Sequence, residues 1–168
     1  MFTDVLRFEL RYQLRSRLFL FGCIIFSLLS FLGIASPNIS IGGIGGANYN
    51  SPLANLQTHI AMAMIGVIIG AAFLNSAALR DIDDRMAEIV FSTRVTRSAY
   101  VIARFIGAFI ATYLVYLSAT LGFLVGSFMP WLDPGLIGPF VPWHYAYSSL
   151  LIGLPALFAN CAIVYALA

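Results

Sequence analysis

The sequence predicts an all-α membrane protein, and three observations carry this prediction. Apolar residues make up 61% of the 168 residues and charged residues only 10%, whereas a soluble domain has about 25% charged residues. The mean hydropathy is +0.92. The apolar residues fall into four long runs, each near the roughly 20 residues that a helix needs to cross a bilayer.

The basic residues orient these runs. All nine are arginines, and they occupy only an N-terminal patch and a central segment. Short arginine-rich segments stay in the cytoplasm. We therefore expect a multi-pass membrane protein with its N-terminus and central segment in the cytoplasm and its uncharged loops outside. The two patches contain Arg7, Arg11, Arg15 and Arg17, and then Arg80, Arg85, Arg94, Arg97 and Arg104.

Residues 1–17 are predicted to form an amphipathic helix that lies in the membrane interface. At 100° per residue its polar face holds Asp4, Arg7, Arg11 and Arg15, and aromatic and aliphatic residues fill the rest, as is typical of interfacial helices. Glu9 falls within the apolar arc. We hypothesise that an arginine of residues 80–104 pairs with Glu9; the alternative is that its carboxylate reaches water.

The first two apolar runs predict membrane spans at 18–36 and 60–79, joined by a loop rich in Pro, Asn, Ser and Gly at 37–58. A cleaved signal peptide is the alternative for the first run, but the charged part before it is long and further spans follow. Gly66 and Gly70 have the spacing that lets helices approach closely. Ordinary glycine content of a membrane helix explains them equally well.

The last two spans are predicted at 101–128 and 148–168. The first of these carries a second small-residue pair, Gly122 and Gly126. Between them, 129–147 is rich in Pro, Trp and Tyr, which is typical of a segment along the outer interface, and a short re-entrant or interfacial helix is compatible with it. Pro155 is expected to bend the last span. The sequence stops inside that run, so we expect 1–168 to be a single, incomplete transmembrane domain.

The central segment 80–100 has two interpretations. Residues 81–91 have the pattern of a short helix with an acidic face and an apolar stripe, followed by Thr96 or Ser98 as a possible cap of the next helix. The segment is either a solvated connection or a docking element, because like charges on one face are favoured by a basic partner.

Several function classes are excluded or disfavoured. The sequence has no lysine, so it lacks the Gly-Lys-Ser/Thr ending of a phosphate loop, and it has no His-Glu-x-x-His or Gly-x-Ser-x-Gly motif. His59 and His144 are interpreted as polar groups at the membrane edge, and Cys23 and Cys161 as small buried hydrophobes. A net charge of +2 does not indicate nucleic acid. We predict a non-catalytic chain without cofactor or metal.

Three motifs carry a resemblance. Phe8-Glu9-x-Arg11-Tyr12-x-Leu14-Arg15-x-x-x-Phe19, together with Arg80-Asp81-x-x-x-Arg85-Met86-x-Glu88-Ile89-x-x-Ser92-Thr93 and Arg97-x-x-Tyr100-x-x-x-Arg104-Phe105, resembles the permease subunit of type-2 ABC transporters. In that family an elbow helix precedes six membrane helices, and the loop after the second one docks into a separate ATPase. The resemblance implies an elbow helix with Glu9, Arg11 and Arg15, and a coupling site with Asp81, Asp83, Asp84, Arg85, Glu88 and Arg94.

A narrower resemblance is to permeases fused to a zinc aminopeptidase-like domain. It rests on Ile89-Val-Phe-Ser-Thr-Arg94 and Met129-Pro-Trp-Leu-Asp-Pro134. The chain departs from those relatives at Arg94, where many have Pro, and at Ala103, where many have Gly. It has no peptidase residues, so any such activity would lie outside this chain.

These observations lead to one expected function and one alternative. The expected function, implied by the resemblance, is the permease component of an ABC-type exporter in a bacterial cytoplasmic membrane, with an ATPase, a second permease copy or half, and the lipid bilayer as partners. The alternative is a membrane-anchoring or assembly domain for a peptidase, without transport. A secondary transporter is disfavoured because such proteins carry acidic residues at mid-membrane, and the predicted spans have none.

Overall fold

The computed structural model describes residues 2–35, 48, 50–83, 96–132, 135 and 137–167, with only the backbone for 81–83 and 97. Every regular element in these ranges is helical. The elements are α1 (Phe2–Leu14), α2 (Arg17–Ala35), α3 (Pro52–Asp83), α4 (Arg97–Ser127), α5 (Pro142–Ser148), a π-helical turn (Ser149–Gly153) and α6 (Leu154–Leu167).

Four helical stretches of the described chain are long and apolar enough to cross a membrane, which confirms the predicted all-α class and the number of spans. Their bounds differ from the prediction mainly because the helices begin earlier. The four stretches are Arg17–Ala35, Pro52–Arg80, Ser98–Ser127 and Pro142–Leu167.

The start of α3 shows why the predicted loop 37–58 is too long. Ser51 Oγ accepts a hydrogen bond from the Ala54 amide at 3.2 Å, and Pro52 occupies the first helical position, where a missing amide hydrogen does no harm. Residues 52–58 are therefore helical. The rest of that loop, apart from Asn48, Asn50 and Ser51, lies outside the described residues.

Asp81–Asp83 are helical as predicted, but they continue α3 instead of beginning a separate helix. Residues 84–95 lie outside the described residues. Thr96 is the N-cap of α4, but its side chain makes no capping hydrogen bond, so the predicted cap has the right position without the predicted bond.

α4 is the central helix of the bundle, with α1, α2 and α3 packed against it. α2 runs parallel to α4 and approaches it closely at a glycine pair. A Cβ atom on Gly122 would collide with the carbonyl group of Ser27, and one on Gly126 would lie 3.2 Å from the Phe31 oxygen. The small-residue spacing therefore serves a helix–helix contact, as expected of such pairs.

The pair in α3 also serves close packing, here against α6. A Cβ atom on Gly66 would lie 2.9 Å from Leu157 Cδ2, and one on Gly70 would lie 3.2 Å from Cys161 Sγ. Of the two interpretations of this pair, the structure supports close approach. Cys161 is buried and Cys23 half-buried, and both are free thiols.

The last span departs from α-helical geometry in the turn that precedes Pro155. The π-helical turn Ser149–Gly153 immediately precedes α6. Gly153 lies so close to the ring of Tyr116 that a Cβ atom there would collide with it. Proline supplies no amide hydrogen to the preceding turn, and the widened turn accommodates this loss. Residues 142–148 form α5, so the end of the predicted outer segment 129–147 is helical.

One end of the bundle projects beyond the start of α2. A Cβ atom on Gly22 would contact Val115, so Arg17, five residues earlier, lies level with about residue 110 of α4. At 1.5 Å per residue, α4 extends about 20 Å further in this direction. α3 runs antiparallel to α4 and extends with it. We call the projecting ends of α3 and α4, residues 72–83 and 97–109, the hairpin extension.

Candidate functional site

The junction of α1 with the hairpin extension buries charged and polar side chains. Glu9 in α1 has no exposed surface, and Gln13, one turn later, is 1% exposed. Residues four apart lie on the same helix face, so both side chains point from α1 into the packed interface. A fully buried carboxylate requires a charged or hydrogen-bonding partner.

Arg80 of α3 is the principal partner of Glu9. Its Nη2 atom lies 2.6 Å from Glu9 Oε2, and its Nη1 atom lies 3.5 Å from Oε1. The side chain of Arg80 is only 11% exposed. A two-atom contact between guanidinium and carboxylate fixes direction as well as distance, so this pair sets the position of α1 on α3.

Gln13 completes the hydrogen bonding of the carboxylate. Its Nε2 atom donates to Glu9 Oε1 at 2.8 Å and to the Phe73 carbonyl oxygen at 3.4 Å. The amide therefore joins α1 to the backbone of α3 about two turns before Arg80. Two contacts separated along α3 resist rotation of α1 about either one.

Arg104 of α4 brings the third helix to the same point. Its Nε atom lies 3.8 Å from Glu9 Oε2, and its Nη1 atom donates to the Ala77 carbonyl oxygen at 2.6 Å. Its guanidinium also lies over the ring of Tyr100, 4.9 Å from the centroid. Arg104 thus joins α4 to α3 directly and adds a second positive charge beside Glu9.

Aromatic rings cover the outer side of the Glu9–Arg80 pair. The Arg80 guanidinium carbon lies 4.1 Å from the ring centroid of Tyr12 and 5.6 Å from that of Phe8. Both rings belong to α1 and are stacked with a centroid distance of 6.4 Å. Cation–π contact favours the arginine on this side, and the rings limit access of water to the pair.

Gly107 allows α1 to come this close to α4. A Cβ atom at this position would lie 2.8 Å from Glu9 Cγ and 2.9 Å from Glu9 Cβ. These distances are too short for ordinary packing, so a side chain here would push α1 away from the junction.

The junction can hold helices together, and its residue types do not indicate bond-making chemistry. Its polar side chains form one network of a carboxylate, two guanidinium groups and a neutral amide. Within the described part of the chain, no group of three metal-binding side chains is close enough together to hold an ion. The network links α1, α3 and α4 to one another at the hairpin extension.

The structure tests some of the predicted site residues. The hypothesis that an arginine of residues 80–104 pairs with Glu9 is confirmed, with Arg80 as the closest partner. Arg11 and Arg15 are exposed and lie away from the junction. Asp81 and Asp83 are at the end of α3. Four predicted coupling residues lie outside the described residues, namely Asp84, Arg85, Glu88 and Arg94.

Sequence reasoning missed Gln13, Tyr12 and Phe8 as parts of the junction. A signal was present for Gln13, since an amide four residues after a buried carboxylate lies on the same face. Tyr12 and Phe8 were assigned only to the apolar surface of the helix. Their contact with Arg80 depends on how α1 lies against α3, which local pattern does not reveal.

His59, predicted to be a polar group at the membrane edge, is a buried side chain of α3. His59 is 2% exposed and lies between α3 and α4. Its Nδ1 atom lies 2.8 Å from the Asn55 carbonyl oxygen, and its Nε2 atom lies 3.0 Å from Thr120 Oγ1. Because a carbonyl oxygen only accepts, Nδ1 carries the hydrogen and Nε2 accepts from the threonine in the neutral ring. Its partners make His59 a satisfied interhelical hydrogen-bonding group.

Comparison with known proteins finds no family model, no curated protein and no solved structure that matches this chain.

Proposed function

We propose that the chain is the transmembrane permease component of an ABC-type exporter in a bacterial cytoplasmic membrane. In this proposal the arginine-bearing end of the bundle faces the cytoplasm, α1 is the elbow helix, and residues 84–95 contact a separate ATPase. The observation that carries the proposal is the buried Glu9–Arg80 pair, with atoms 2.6 Å apart. It ties α1 to the hairpin extension, whose two helices flank residues 84–95.

The proposed mechanism follows from these connections. ATP-driven movement of the ATPase displaces residues 84–95 and, with them, the ends of α3 and α4. These ends move together because Arg104 of α4 bonds to the Ala77 carbonyl oxygen of α3. α1 follows because Glu9 and Gln13 hold it to α3.

A buried charge network suits this role better than apolar packing alone. Separating a buried carboxylate from its guanidinium partner is unfavourable by about 3–5 kcal/mol, and the pair has defined geometry. When the hairpin extension moves by a few ångströms, α1 therefore moves with it instead of sliding along α3. Two permease copies, or two halves, would form the transport path between them.

Crosslinking tests the proposed partner. A photo-crosslinking residue is placed in turn at positions 84, 88 and 94 of the full chain in its native membrane, and captured proteins are identified by mass spectrometry. We expect an ABC ATPase at these positions and none from position 48. Capture of only the chain itself, or of a peptidase domain, would instead support the anchoring alternative.

A charge reversal tests the same contact from the side of the chain. We expect Asp84→Lys with Glu88→Lys to abolish co-purification of the ATPase without loss of the chain from the membrane, because an acidic face complements a basic partner. Asp4→Lys is the control, since Asp4 is exposed on α1 and outside the proposed contact. Normal co-purification of the double variant would contradict the proposed docking role.

A further inference from the structure

The outer face of α1 is arginine-rich and lies opposite the junction. Arg11 is two residues from Glu9, a separation that places two side chains on opposite helix faces. Glu9 is completely buried, whereas Arg7, Arg11 and Arg15 are all exposed. The three arginines recur every four residues, so they form one row along the surface of α1.

A groove lies on each side of this row. One groove has a volume of about 370 Å³ and is lined by Arg11 and Arg15 together with Phe8, Tyr12 and Ser16. The other has a volume of about 560 Å³ and is lined by Arg7, Arg11 and Arg15 together with Leu10 and Leu14. Arg11 and Arg15 are common to both. Each groove thus combines guanidinium groups with an apolar wall.

Among the described residues, no carboxylate pairs with either of the two shared arginines. The ion pairs resolved in the described residues near α1 use Glu9, which lies on the opposite face and bonds to Arg80. Within the same part of the chain, neither Arg11 nor Arg15 has a carboxylate within ion-pair distance. Two neighbouring exposed guanidinium groups favour an anion, and arginine in particular matches the oxygens of a phosphate.

We propose that this row binds the headgroup phosphate of an anionic phospholipid, with the apolar walls of the grooves contacting its glycerol and upper acyl chains. Side chains four residues apart have Cβ atoms about 5–6 Å apart, so Arg11 and Arg15 can hold one phosphate between them. The proposal requires only that the bundle lies in a membrane and is independent of the transport function.

The surface that continues from the grooves favours a lipid over an acidic protein. The chain turns at Arg15 and Ser16 directly into α2, whose first turns expose Leu20 at 59% and Phe21 at 62%. These side chains lie in a helix long and apolar enough to cross a membrane. The grooves are therefore continuous with a surface suited to acyl chains, and a phospholipid joins phosphate and acyl chain in one molecule.

Native mass spectrometry of the full chain in detergent tests the proposal. The purified protein is incubated with equal amounts of phosphatidylglycerol and phosphatidylcholine, and the ratio of the two lipids retained on the protein is measured. We expect phosphatidylglycerol to be enriched on the wild type. Each arginine near a headgroup contributes about a fivefold preference, so Arg11→Gln with Arg15→Gln should lower the enrichment by more than fivefold.

Arg17→Gln is the matched control, because Arg17 is exposed and lines neither groove. It should keep most of the enrichment, whereas Arg15→Gln alone should lose about fivefold. Arg15→Gln also supplies the readout if the double variant does not fold. An unchanged ratio in the Arg15 variant, an equal loss in the Arg17 variant, or capture of an acidic protein on this face in place of lipid would overturn the proposal.

Discussion

Glu9 shows how a single residue can decide the position of a helix. The rest of α1 is that of an interfacial helix, with arginines on one face and apolar residues on the other. A carboxylate in the middle of the apolar face has no exposed surface, and it is tolerated because Arg80, Arg104 and Gln13 converge on it. Burying one charge therefore commits α1 to one place on the bundle.

Replacing Glu9 tests how much the Glu9–Arg80 pair contributes to the free energy of unfolding. Glu9→Gln keeps the shape of the side chain and removes its charge, leaving Arg80 without that carboxylate. We expect the free energy of unfolding to fall by about 3 kcal/mol, seen as a lower thermal midpoint in detergent and less assembled protein in the membrane. Asp4→Asn removes an exposed charge from the same helix and should change little. Equal midpoints for the two variants would contradict the pairing.

At the scale of elements, glycines set how closely the helices pack. α1 packs closely against Gly107, α2 against Gly122 and Gly126, and α6 against Gly66 and Gly70. In a membrane, helix association depends on close contact more than on the hydrophobic effect, because lipid is as apolar as the helices. The absence of a side chain at these positions therefore contributes directly to assembly of the bundle.

The α2–α4 contact offers a matched pair of substitutions. In Gly122→Ala the new methyl group would meet the backbone of Ser27, which cannot rotate away, so α2 must move. We expect a loss of about 1–3 kcal/mol, although alanine is the better helix former. Gly126→Ala should lose less, since its nearest atom, the Phe31 oxygen, lies 3.2 Å away. Thermal midpoints of both variants in detergent measure the difference, and equal losses would contradict this geometry.

The α1–α4 contact permits a double-mutant cycle. Gly107→Ala places a methyl group against Glu9, 2.8 Å from its Cγ atom, and should destabilise the protein by displacing α1. Glu9→Gln weakens the attachment of the same helix. Because both substitutions act on one contact, their combined effect on the free energy of unfolding should be smaller than the sum of the single effects by more than 0.5 kcal/mol. Additive effects would show that Gly107 acts elsewhere.

At the scale of the whole molecule, the arginines divide the bundle into two ends. Arg7, Arg11, Arg15, Arg80 and Arg104 lie at the end that carries α1 and the hairpin extension. The other end carries the start of α3 and the helix α5, and its described segments have no basic residue. The positive-inside rule then predicts one orientation for all four spans.

Cysteine labelling tests this orientation. In a background with Cys23→Ala and Cys161→Ala, we introduce Asn48→Cys or Ser98→Cys, since both positions are exposed and lie at opposite ends of the bundle. A membrane-impermeant maleimide should label the Asn48 variant in intact spheroplasts and the Ser98 variant only after permeabilisation. Labelling of the Ser98 variant in intact spheroplasts would place the hairpin extension outside and remove the basis for an ATPase contact.

By itself, the sequence determined the number and approximate position of the four apolar helices and the amphipathic character of α1, but it left Glu9 either paired with an arginine or reaching water. The number of helices and the amphipathic character of α1 depend on local composition and helical periodicity, so both can be predicted without knowledge of the fold. The helix start at Pro52 was missed because the polar, proline-containing sequence there has the composition of a loop. Only the tertiary structure decided that Arg80 bonds to Glu9 at 2.6 Å while Arg104 stays at 3.8 Å, that Gln13 joins them and that His59 is buried. Such choices depend on the register and angle between helices far apart in sequence, which close contacts at Gly107 and Gly122 fix.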